Sequence, residues 1–401
     1  MEQKVNEKER LPLTGIRVLE LSLAVMGPTA GMILADMGAE VIKIEPTPQG
    51  DDTRRMVGFG TGFFTAFNRY KKSLVLDLKR PEGKAVMDRL IDTADILVEN
   101  FAPGTIDRLG FGYDRVSQLN PLLIFCSLKG FMPGPYEKRP SLDEVCQMMG
   151  GLAYMTGPRG RPLRAGASVV DIMGGSYGVI GILTALYERQ QSGRGRYVRA
   201  TLFESVVLLM AQHMAATALT GQPSPPMPER GRAWSVYDLF DTSDGEQVFV
   251  GCTSDAHWQR FCKQFGYDDL GADNRLTTAK DRVGERDFLI PELRRRLATL
   301  TKEEIMKKAE AAVIPFAAIA RPEDLFDDPH LRQSGGLVET TLPDGTKTKL
   351  PKIPVMMDGC DFGLRNDPPR LGEGSEELLL SLGLDRDQIE TLKKEGIVGP
   401  L

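Results

Sequence analysis

The amino-acid sequence predicts an α/β fold built on a doubly wound parallel sheet, with a second domain later in the chain. Apolar strands and helices alternate over the first 130 or so residues, and this alternation is typical of parallel strands joined by right-handed crossovers. A chain of 401 residues is long for one domain, and its composition changes near residue 220. The length and this change predict the second domain.

The predicted elements follow in chain order. IRVLEL (16–21) is a buried strand, GPTAGMILADMG is a helix that opens at Pro28, and AEVIKIE (39–45) is the next strand. The pattern continues with the strand SLVLDL (73–78), a helix from Pro81 to about Ala94, and the strands DILVE (95–99) and LLIFCSL (122–128). Ligands of such folds bind beyond the carboxyl ends of the strands. The loops expected to form a site are therefore 22–28, 46–55, 100–108 and 129–140.

A proline-rich stretch, TGQPSPPMPERGR (220–232), reads as a linker between domains. EQVFVGC (246–252) and the amphipathic stretch through Phe265 begin the second domain, which is placed at 233–325. LVETTLPDGTKTKL (337–350) is predicted to be a hairpin.

Composition and charge exclude several classes of protein. A net charge of −5 gives no general attraction for nucleic acid or an anionic membrane. Five scattered cysteines without a C-x-x-C pair, and three histidines without ligand spacing, argue against a disulfide framework and against a metal site. The charged N-terminal MEQKVNEKER is neither a signal nor a transit peptide, and the apolar stretch 165–186 contains a carboxylate, so it reads as a buried helix. We expect a cytoplasmic protein.

Two short motifs point to other enzyme classes but lack their context. The turn LSLAVMGP has no G-x-G-x-x-G, which disfavours a nicotinamide enzyme and leaves a nucleotide-like ligand held differently open. Gly174 to Gly178 satisfy G-x-S-x-G around Ser176, which would suit a hydrolase, but no clear strand precedes them and no HGGG-type oxyanion loop is present. The alternative for these small residues is the start of a closely packed helix.

Basic and polar residues fall at the predicted strand ends and loops, where several together suit a polyanionic ligand. Any one of them alone is more often a surface residue. The set is Arg54, Lys79, Asn100, Phe101, Arg108, Lys129 and Arg139.

Asp171 is the carboxylate within the apolar run GASVVDIMGGSYGVIGIL (166–183). It could cap the helix that follows, or act as a nucleophile, since an ordinary carboxylate is ionised at neutral pH. Gly174 and Gly175 would then let backbone N–H groups approach a developing oxyanion. The residue pattern alone leaves both readings open.

A series of long motifs resembles the class III coenzyme A transferases (CaiB/BaiF type), the family of formyl-CoA:oxalate and carnitine CoA-transferases. The motifs span nearly the whole chain: LTGIRVLEL, ADMGAEVIKIE, KKSLVLDLKRPEGK, ADILVENFAPGTIDRLGFGYDRV, NPLLIFCSLKGF, DIMGGSYGVIGILTAL, SGRGRYVRATLFESV and PPRLGEGSEELLLSLGL. The resemblance implies that Asp171 is the nucleophile, and that it forms a mixed anhydride with the donor acyl group and then an aspartyl-CoA thioester. Coenzyme A is a substrate, and no permanently bound cofactor is implied. The implied CoA contacts are Ala24, Arg54, Leu76, Lys79, Asn100, Phe101, Arg108, Lys129 and Arg139.

The resemblance also implies the architecture and the partners. The large Rossmann-like domain is made from both chain ends (1–219 and 326–401), the small middle domain is α+β, and two chains interlock as a homodimer or as a heteromer with a related subunit. The expected substrates are an acyl-CoA, such as succinyl-CoA, and a small carboxylic acid, for example an organic or aryl-substituted acid such as benzylsuccinate. Met148, Met149, Tyr154 and Met155 are candidates for the acyl pocket, although methionines at such spacing are more often core.

Departures from the family pattern narrow the activity. Val25 stands where formyl-CoA transferases have a glutamine, Pro46 replaces a basic residue, and the glycine-rich flap has no counterpart near 225–245. These changes indicate an acid other than oxalate. Leu142 stands where the racemases of the family have the histidine needed for two-base proton transfer. A racemase is therefore disfavoured, and a silent CoA-binding subunit of a heteromer stays as an alternative.

Overall fold

The computed structural model describes residues 11–229, 234–363 and 365–400. Its large unit is built on a six-stranded sheet whose pairings are all parallel. The strands are β1 (Arg17–Leu21), β2 (Glu40–Glu45), β3 (Lys71–Val75), β4 (Ile96–Glu99), β5 (Ile124–Lys129) and β6 (Tyr197–Thr201). They lie in the order β3-β2-β1-β4-β5-β6, which is the order of dinucleotide-binding sheets and reverses between β1 and β4. The predicted α/β fold with a parallel sheet is confirmed.

Helices connect these strands and cover the sheet. They are α1 (Met26–Asp36), α2 (Phe63–Phe67), α3 (Pro81–Thr93), α4 (Thr105–Leu109), α5 (Tyr113–Leu119), α6 (Asp143–Met149), α7 (Leu152–Thr156), α8 (Val169–Ser192), α9 (Leu202–Leu209) and α10 (Ala211–Thr220). Helix α1 joins β1 to β2, and α8 leads into β6, which pairs with β5. Both helices therefore begin at the carboxyl edge of the sheet.

The middle of the chain forms a second compact unit, Glu229–Leu331. An antiparallel sheet, β7 (Val236–Asp241), β8 (Gln247–Cys252) and β9 (Phe316–Ala318), packs with helices over a separate core around Trp258. The helices are α11 (Asp255–Phe265), α12 (Asp268–Gly271), α13 (Ala279–Gly284), α14 (Arg286–Leu297) and α15 (Lys302–Ala311). The sequence placed this domain at 233–325, and residues 230–232 of the predicted linker lie outside the described residues.

The chain returns to the large unit at Arg332. It forms α16 (Pro329–Ser334), the hairpin β10 (Leu337–Thr341) and β11 (Lys347–Pro351), and the helices α17 (Ser375–Ser381) and α18 (Arg386–Lys394). Ser375 donates its hydroxyl to the carbonyl of Ser73, and Leu378 and Leu379 join the core beside β3. The hairpin predicted at 337–350 is confirmed, and the large unit contains residues from both parts of the chain.

Side chains alternate between the two faces of the sheet because successive residues of a strand point to opposite sides. Val18, Val41 and Cys126 pack with α1 and α8 in one core cluster. Leu19 and Ile42 belong to a second cluster with α3, α17 and α18 on the other face. The sheet is therefore doubly covered.

Several boundaries differ from the prediction. Helix α1 begins at Met26, two residues before Pro28, because a proline in the first turn lacks only an N–H that has no helical partner. Strand β3 begins at Lys71, two residues before the predicted strand, and ends at Val75, three residues before the predicted end. Helix α8 runs to Ser192 and ends where Gly193 adopts a left-handed conformation (φ 62°).

Length and composition alone would let α8, or the bent pair α9 and α10, cross a membrane. Helix α8 instead packs along α1 and against β5 and β6, with Val170, Val179 and Ile182 in the core. We interpret α8 as the core helix of the large unit.

Candidate active site

The start of helix α8 is capped by a residue from another helix. Ser168 occupies the N-cap position but makes no side-chain hydrogen bond there. Asp143, at the start of α6, accepts hydrogen bonds through Oδ2 from the backbone N–H groups of Val170 (2.9 Å) and Asp171 (3.2 Å). The interpretation of Asp171 as the N-cap is therefore wrong, since Asp171 lies inside the first turn.

Asp143 is itself held by polar partners. Its Oδ1 accepts from the side-chain amide of Gln147 (2.6 Å) and from Nη2 of Arg164 (3.1 Å). The Oε1 of Gln147 in turn accepts the N–H of Ala165 (2.8 Å). These bonds tie α6, the segment 157–168 and the start of α8 together, and they orient the backbone at Asp171.

The Asp171 side chain is half-buried and has a strongly changed acidity. Burial, followed by the negative charge of Asp143, raises its pKa from 3.8 to about 7, although Arg164 acts in the opposite direction. The sequence-based expectation of an ordinary, fully ionised carboxylate is therefore wrong. A carboxyl group that titrates near neutral pH is typical of functional sites.

Gly174 and Gly175 make room for helix α1. A Cβ on Gly174 would lie 2.5 Å from the Met26 side chain, and one on Gly175 would lie 2.5 Å from the Met26 carbonyl oxygen. Both glycines lie within the helix, where backbone N–H groups donate to the carbonyls four residues earlier. The geometry therefore favours a packing role over the expected role as oxyanion donors.

The same packing indicates where Asp171 lies. Residues four apart share one face of a helix, so Asp171 and Gly175 are on the same side of α8. Because Gly175 packs against the first turn of α1, the side of α8 that carries Asp171 faces the beginning of α1 and the loop before it. The Asp171 site therefore lies at the carboxyl edge of the sheet.

The Ser176 hydrolase reading does not fit the structure. Ser176 lies in the second turn of α8, and its hydroxyl donates to the carbonyl of Ile172 (2.8 Å). A nucleophile elbow requires a sharp turn from strand to helix, and no strand directly precedes α8. The G-x-S-x-G match is a coincidence of small residues at a helix contact.

Loops from β1 and β4 meet where the strand order reverses. The side-chain amide of Asn100 accepts the N–H of Leu23 and donates to its carbonyl, both at 2.8 Å. Ala24 follows with a left-handed backbone (φ 61°), which is uncommon for a residue with a side chain. Asn100 and Ala24 therefore lie at the position where sheets of this order bind their ligands.

Phe101 and Lys129 continue this edge. The Lys129 ammonium contacts Oε2 of Glu99 and the Phe101 carbonyl, both at 2.7 Å. Lys129 also lines a cleft of about 410 Å³ with Tyr113, Phe125, Tyr197 and Arg199. Its charge is matched by Glu99, so in this structure Lys129 orients the loop after β4.

Two expected CoA contacts have structural partners instead. Arg54 makes two hydrogen bonds to the Glu45 carboxylate (2.7 Å each), one to the Pro369 carbonyl, and stacks on Phe64. Leu76 is buried in the core, and its N–H donates to the carbonyl of Glu45. A direct contact with CoA is not supported for these two side chains.

The remaining expected contacts are exposed cations. Lys79 follows β3, Arg108 lies in α4, and Arg139 lies after β5 with its guanidinium 4.1 Å from the Tyr136 ring centre. They are accessible to an anionic ligand.

Of the proposed acyl-pocket residues, Met155 belongs to the core, whereas Met148, Met149 and Tyr154 are exposed.

Sequence reasoning assigned no role to Arg164 or to Asp143. No signal in the sequence indicated a cap from elsewhere, because Ser168 is itself a preferred N-cap residue, and only the structure shows that it makes no capping hydrogen bond. Within the described residues, no group of three or more His, Cys, Asp or Glu side chains could hold a metal ion.

The fold and the site define an α/β enzyme of the kind that binds nucleotide-containing substrates at the carboxyl edge of a parallel sheet. Comparison with known proteins gives the family. The sequence profile of CoA-transferase family III matches residues 13–375. The chain belongs to CoA-transferase family III.

Relatives resemble it along the whole chain. A succinate–glutarate CoA-transferase of Agrobacterium fabrum is 33% identical over 387 residues, which cover 92% of this chain and 96% of the relative. The beta subunit of a succinyl-CoA–L-malate CoA-transferase of Chloroflexus aurantiacus is 32% identical, with 97% and 98% covered. The crystal structure of a CAIB/BAIF family protein from Brucella suis superposes with a TM-score of 0.83 at 30% identity, covering 93% of this chain and 99% of that one.

Proposed function

We propose that this CoA-transferase works through a covalent intermediate on Asp171. The Asp171 carboxylate attacks the thioester carbonyl of the donor, the C–S bond breaks, and a mixed anhydride and CoA thiolate result. The thiolate then attacks the aspartyl carbonyl, the donor acid leaves as a carboxylate, and an aspartyl-CoA thioester remains. The acceptor carboxylate attacks this thioester, releasing the thiolate, which attacks the acceptor carbonyl and regenerates Asp171.

The observation that carries the proposal is the acidity of Asp171 at the start of α8. A pKa of about 7 makes the carboxylate more basic than an ordinary one, yet leaves about half of it ionised at neutral pH. Its position facing the first turn of α1 is supported by the contact of Gly175 with Met26.

The CoA moiety is proposed to lie along the carboxyl edge, from the loop at Ala24 and Asn100 towards the exposed cations Lys79, Arg108 and Arg139. The 410 Å³ cleft is a poorer site for the phosphates. Its three basic residues, Lys129, Lys138 and Arg199, are outnumbered by four acidic ones, Glu99, Asp107, Asp114 and Glu137. The cations outside the cleft are exposed, so a polyanion can bind them by charge-assisted hydrogen bonds.

We propose succinyl-CoA as the donor and a short aliphatic dicarboxylate as the acceptor. The support is the names of two relatives, one acting on succinate and glutarate and the other on succinyl-CoA and L-malate. The aryl-substituted acceptor, such as benzylsuccinate, stays a prediction that ranks below these acids.

An assembly of two chains is also proposed. Helix α10 has no buried residue, and large apolar side chains of α8 to α10 are exposed, including Ile180 (56%), Tyr187 (68%) and Leu219 (87%). An exposed apolar surface of this kind is typical of a protein–protein interface. Its extent supports the interlocked dimer, and the name of the Chloroflexus relative, a beta subunit, leaves a heteromer as the second arrangement.

The test is single-turnover loading of the purified chain. Incubation with succinyl-CoA alone, followed by hydroxylamine, should place a hydroxamate on Asp171 that peptide mass spectrometry detects. Asp171→Asn should show none and should lose transfer activity by about 10³-fold or more.

A folded, CoA-binding chain that leaves Asp171 unmodified with a broad panel of acyl-CoAs would contradict the covalent route. That result would favour the alternative of a silent subunit that requires an active relative. Loading of the chain by itself would exclude that alternative.

A further inference from the structure

Arg164 has one guanidinium nitrogen with a partner and one without. Its Nη2 contacts Oδ1 of Asp143 (3.1 Å) and the carbonyl of Ala167 (3.4 Å). Its Nε is buried and has no acceptor among the described residues. A buried N–H without an acceptor costs free energy, so the protein retains a donor here that a ligand atom could satisfy.

Part of the side chain is exposed, so a ligand can reach the guanidinium, and binding through the buried Nε requires the guanidinium to turn towards that ligand. A quarter of Arg164 is exposed (25%), compared with 7% of Asp143. Arg164 also lies within electrostatic reach of Asp171, since its positive charge lowers the pKa of that carboxyl group. An anion bound to Arg164 would therefore lie close to the nucleophile.

The chemistry at Asp171 requires such a cation. The acceptor approaches as a carboxylate, and the donor acid leaves as one, beside the carboxylate of Asp143. When Asp171 is converted to a thioester its own charge disappears, so the charges of Arg164 and Asp143 balance. The free donor of Arg164 can then bind an incoming carboxylate oxygen by a charge-assisted hydrogen bond.

We propose that Arg164 binds the reacting carboxylate of the free acid, holding the acceptor as it attacks the aspartyl-CoA thioester and the donor acid as it leaves. This inference rests on the proposed aspartyl route. It assigns Arg164 to the steps that involve a free acid, whereas the first attack on a neutral thioester does not need it.

The test separates the two half-reactions in Arg164→Lys. This variant keeps a positive charge for Asp143 but lacks the Nε–H. Loading here means the first attack alone. It is followed as the CoA thiolate that a thiol-trapping reagent captures from succinyl-CoA, before the thiolate can attack the aspartyl carbonyl and displace the donor acid. For the second half, the aspartyl-CoA enzyme is freed of small molecules by gel filtration, and its decay is followed after adding glutarate or L-malate. Measurements at pH 9 keep Asp171 ionised in every variant, so an altered pKa does not affect the comparison.

We expect loading within about 3-fold of the native rate and a decay with acceptor that is slower by about 10- to 100-fold, the range expected for one charge-assisted hydrogen bond. Arg161→Lys is the matched control, because Arg161 is an exposed arginine on the same segment, and both of its half-reactions should stay unchanged. Equal losses in both halves of Arg164→Lys would reduce Arg164 to a support for Asp143 and overturn the inference. A native decay rate would overturn it as well.

A second measurement tests the inference if Arg164→Lys folds poorly. In Arg164→Ala, millimolar guanidinium should restore the decay with acceptor and leave Arg161→Ala unaffected, whereas an absence of rescue in folded Arg164→Ala contradicts the inference. Absence of a hydroxamate in the native enzyme is a separate result, which would contradict the aspartyl route itself.

Discussion

Two charged clusters of the large unit contain similar residues but differ in burial and in the balance of their charges. In the first, Lys71 contacts Glu20 (2.6 Å), and Lys43 contacts Glu20 (3.2 Å) and Asp51 (2.9 Å). These four side chains are almost completely buried, and their two positive and two negative charges balance. In the second, Asp143 and Asp171 share one cation, Arg164, and that cluster is partly exposed.

The two clusters differ in their acidities. Burial disfavours the charge on both lysines of the first cluster. For Lys43 the carboxylates of Glu20, Asp51 and Glu45 outweigh burial and raise the pKa of the ammonium, whereas for Lys71 burial prevails and lowers the pKa to about 8. Burial likewise disfavours ionised Asp51, yet Lys43 and hydrogen bonds from Thr53 lower its pKa. At Asp171, burial and Asp143 prevail because one arginine serves two carboxyl groups. The first cluster is buried and fixes the structure, whereas the second holds a partly exposed carboxyl group that titrates near neutral pH.

The balanced cluster also has a position that matters for the site. Lys43 donates to the carbonyl of Ser22 (2.8 Å), and Lys71 donates to that of Pro28 (3.0 Å). These carbonyls flank Ala24 and the start of α1. The buried lysines therefore fix the loop that faces Asp171.

The largest effect on stability is expected from Lys71→Met. It leaves Glu20 with one cation instead of two in the core, and breaking a buried ion pair from one side costs about 3–5 kcal/mol. Urea denaturation measures the loss. Lys72→Met, on the neighbouring and partly exposed residue that pairs with Glu40, should cost less than about 1 kcal/mol. Similar losses for both variants would refute the expectation that a buried ion pair contributes more to stability than a partly exposed one.

At the unbalanced cluster, removing a charged side chain is expected to raise the stability of the protein instead of lowering it. The unfolded chain ionises Asp171 above about pH 4, whereas the native state keeps the proton until about pH 7. This carboxyl group therefore lowers native stability as the pH rises from 4 to 7, and the penalty is complete above pH 7. Asp171→Asn should be more stable than the native protein by about 2–4 kcal/mol at pH 8, and nearly equal to it at pH 4.

Thermal or urea unfolding at the two pH values measures this gain, and a gain of the same size at pH 4 would show a cause other than ionisation. The pH dependence of the loading rate provides a second measurement of the ionisation of Asp171. The rate should rise about tenfold per unit below pH 7 and level off above pH 8, because only the carboxylate attacks. A flat profile between pH 5 and pH 8 would mean that Asp171 has an ordinary pKa.

Gly175→Ala should have a smaller effect. The new methyl group would meet the Met26 carbonyl, a backbone atom that cannot move as a side chain can, and overpacking of this kind costs about 1–3 kcal/mol. Loading should also slow, because α1 and its preceding loop would shift from Asp171. Gly284→Ala, where nothing lies within 4 Å, is the control and should change neither quantity. An unchanged loading rate in Gly175→Ala would argue against a close fit between α1 and the site.

Features that depend on neighbouring residues along the chain, such as strands, could be predicted from the sequence. Features that depend on contacts between distant segments could not. The apolar runs of β1, β2, β4 and β5 are local patterns, so these strands could be predicted to within a few residues, whereas β6 was not predicted. The acidity of Asp171 depends on burial and on the charge of Asp143, which is 28 residues away along the chain and meets α8 because α6 packs against it. Arg54 looked like a ligand contact because its position after β2 is right, and only the structure shows that Glu45 occupies its guanidinium.

The smallest effect is expected from Ser176→Ala, and an unchanged stability and activity in this variant would be the informative result. The Ser176 hydroxyl donates to a carbonyl of its own helix, a bond that offers little stability because that carbonyl already accepts a backbone N–H. Stability should change by less than about 0.5 kcal/mol, as expected for such a substitution, and loading should stay within about 2-fold of native. A fluorophosphonate probe should likewise fail to label the native chain at this residue. Loss of activity in Ser176→Ala would mean that the hydroxyl leaves its helical partner to act on substrate. The reacting group would then be Ser176 in the second turn of α8, and not Asp171 in the first turn.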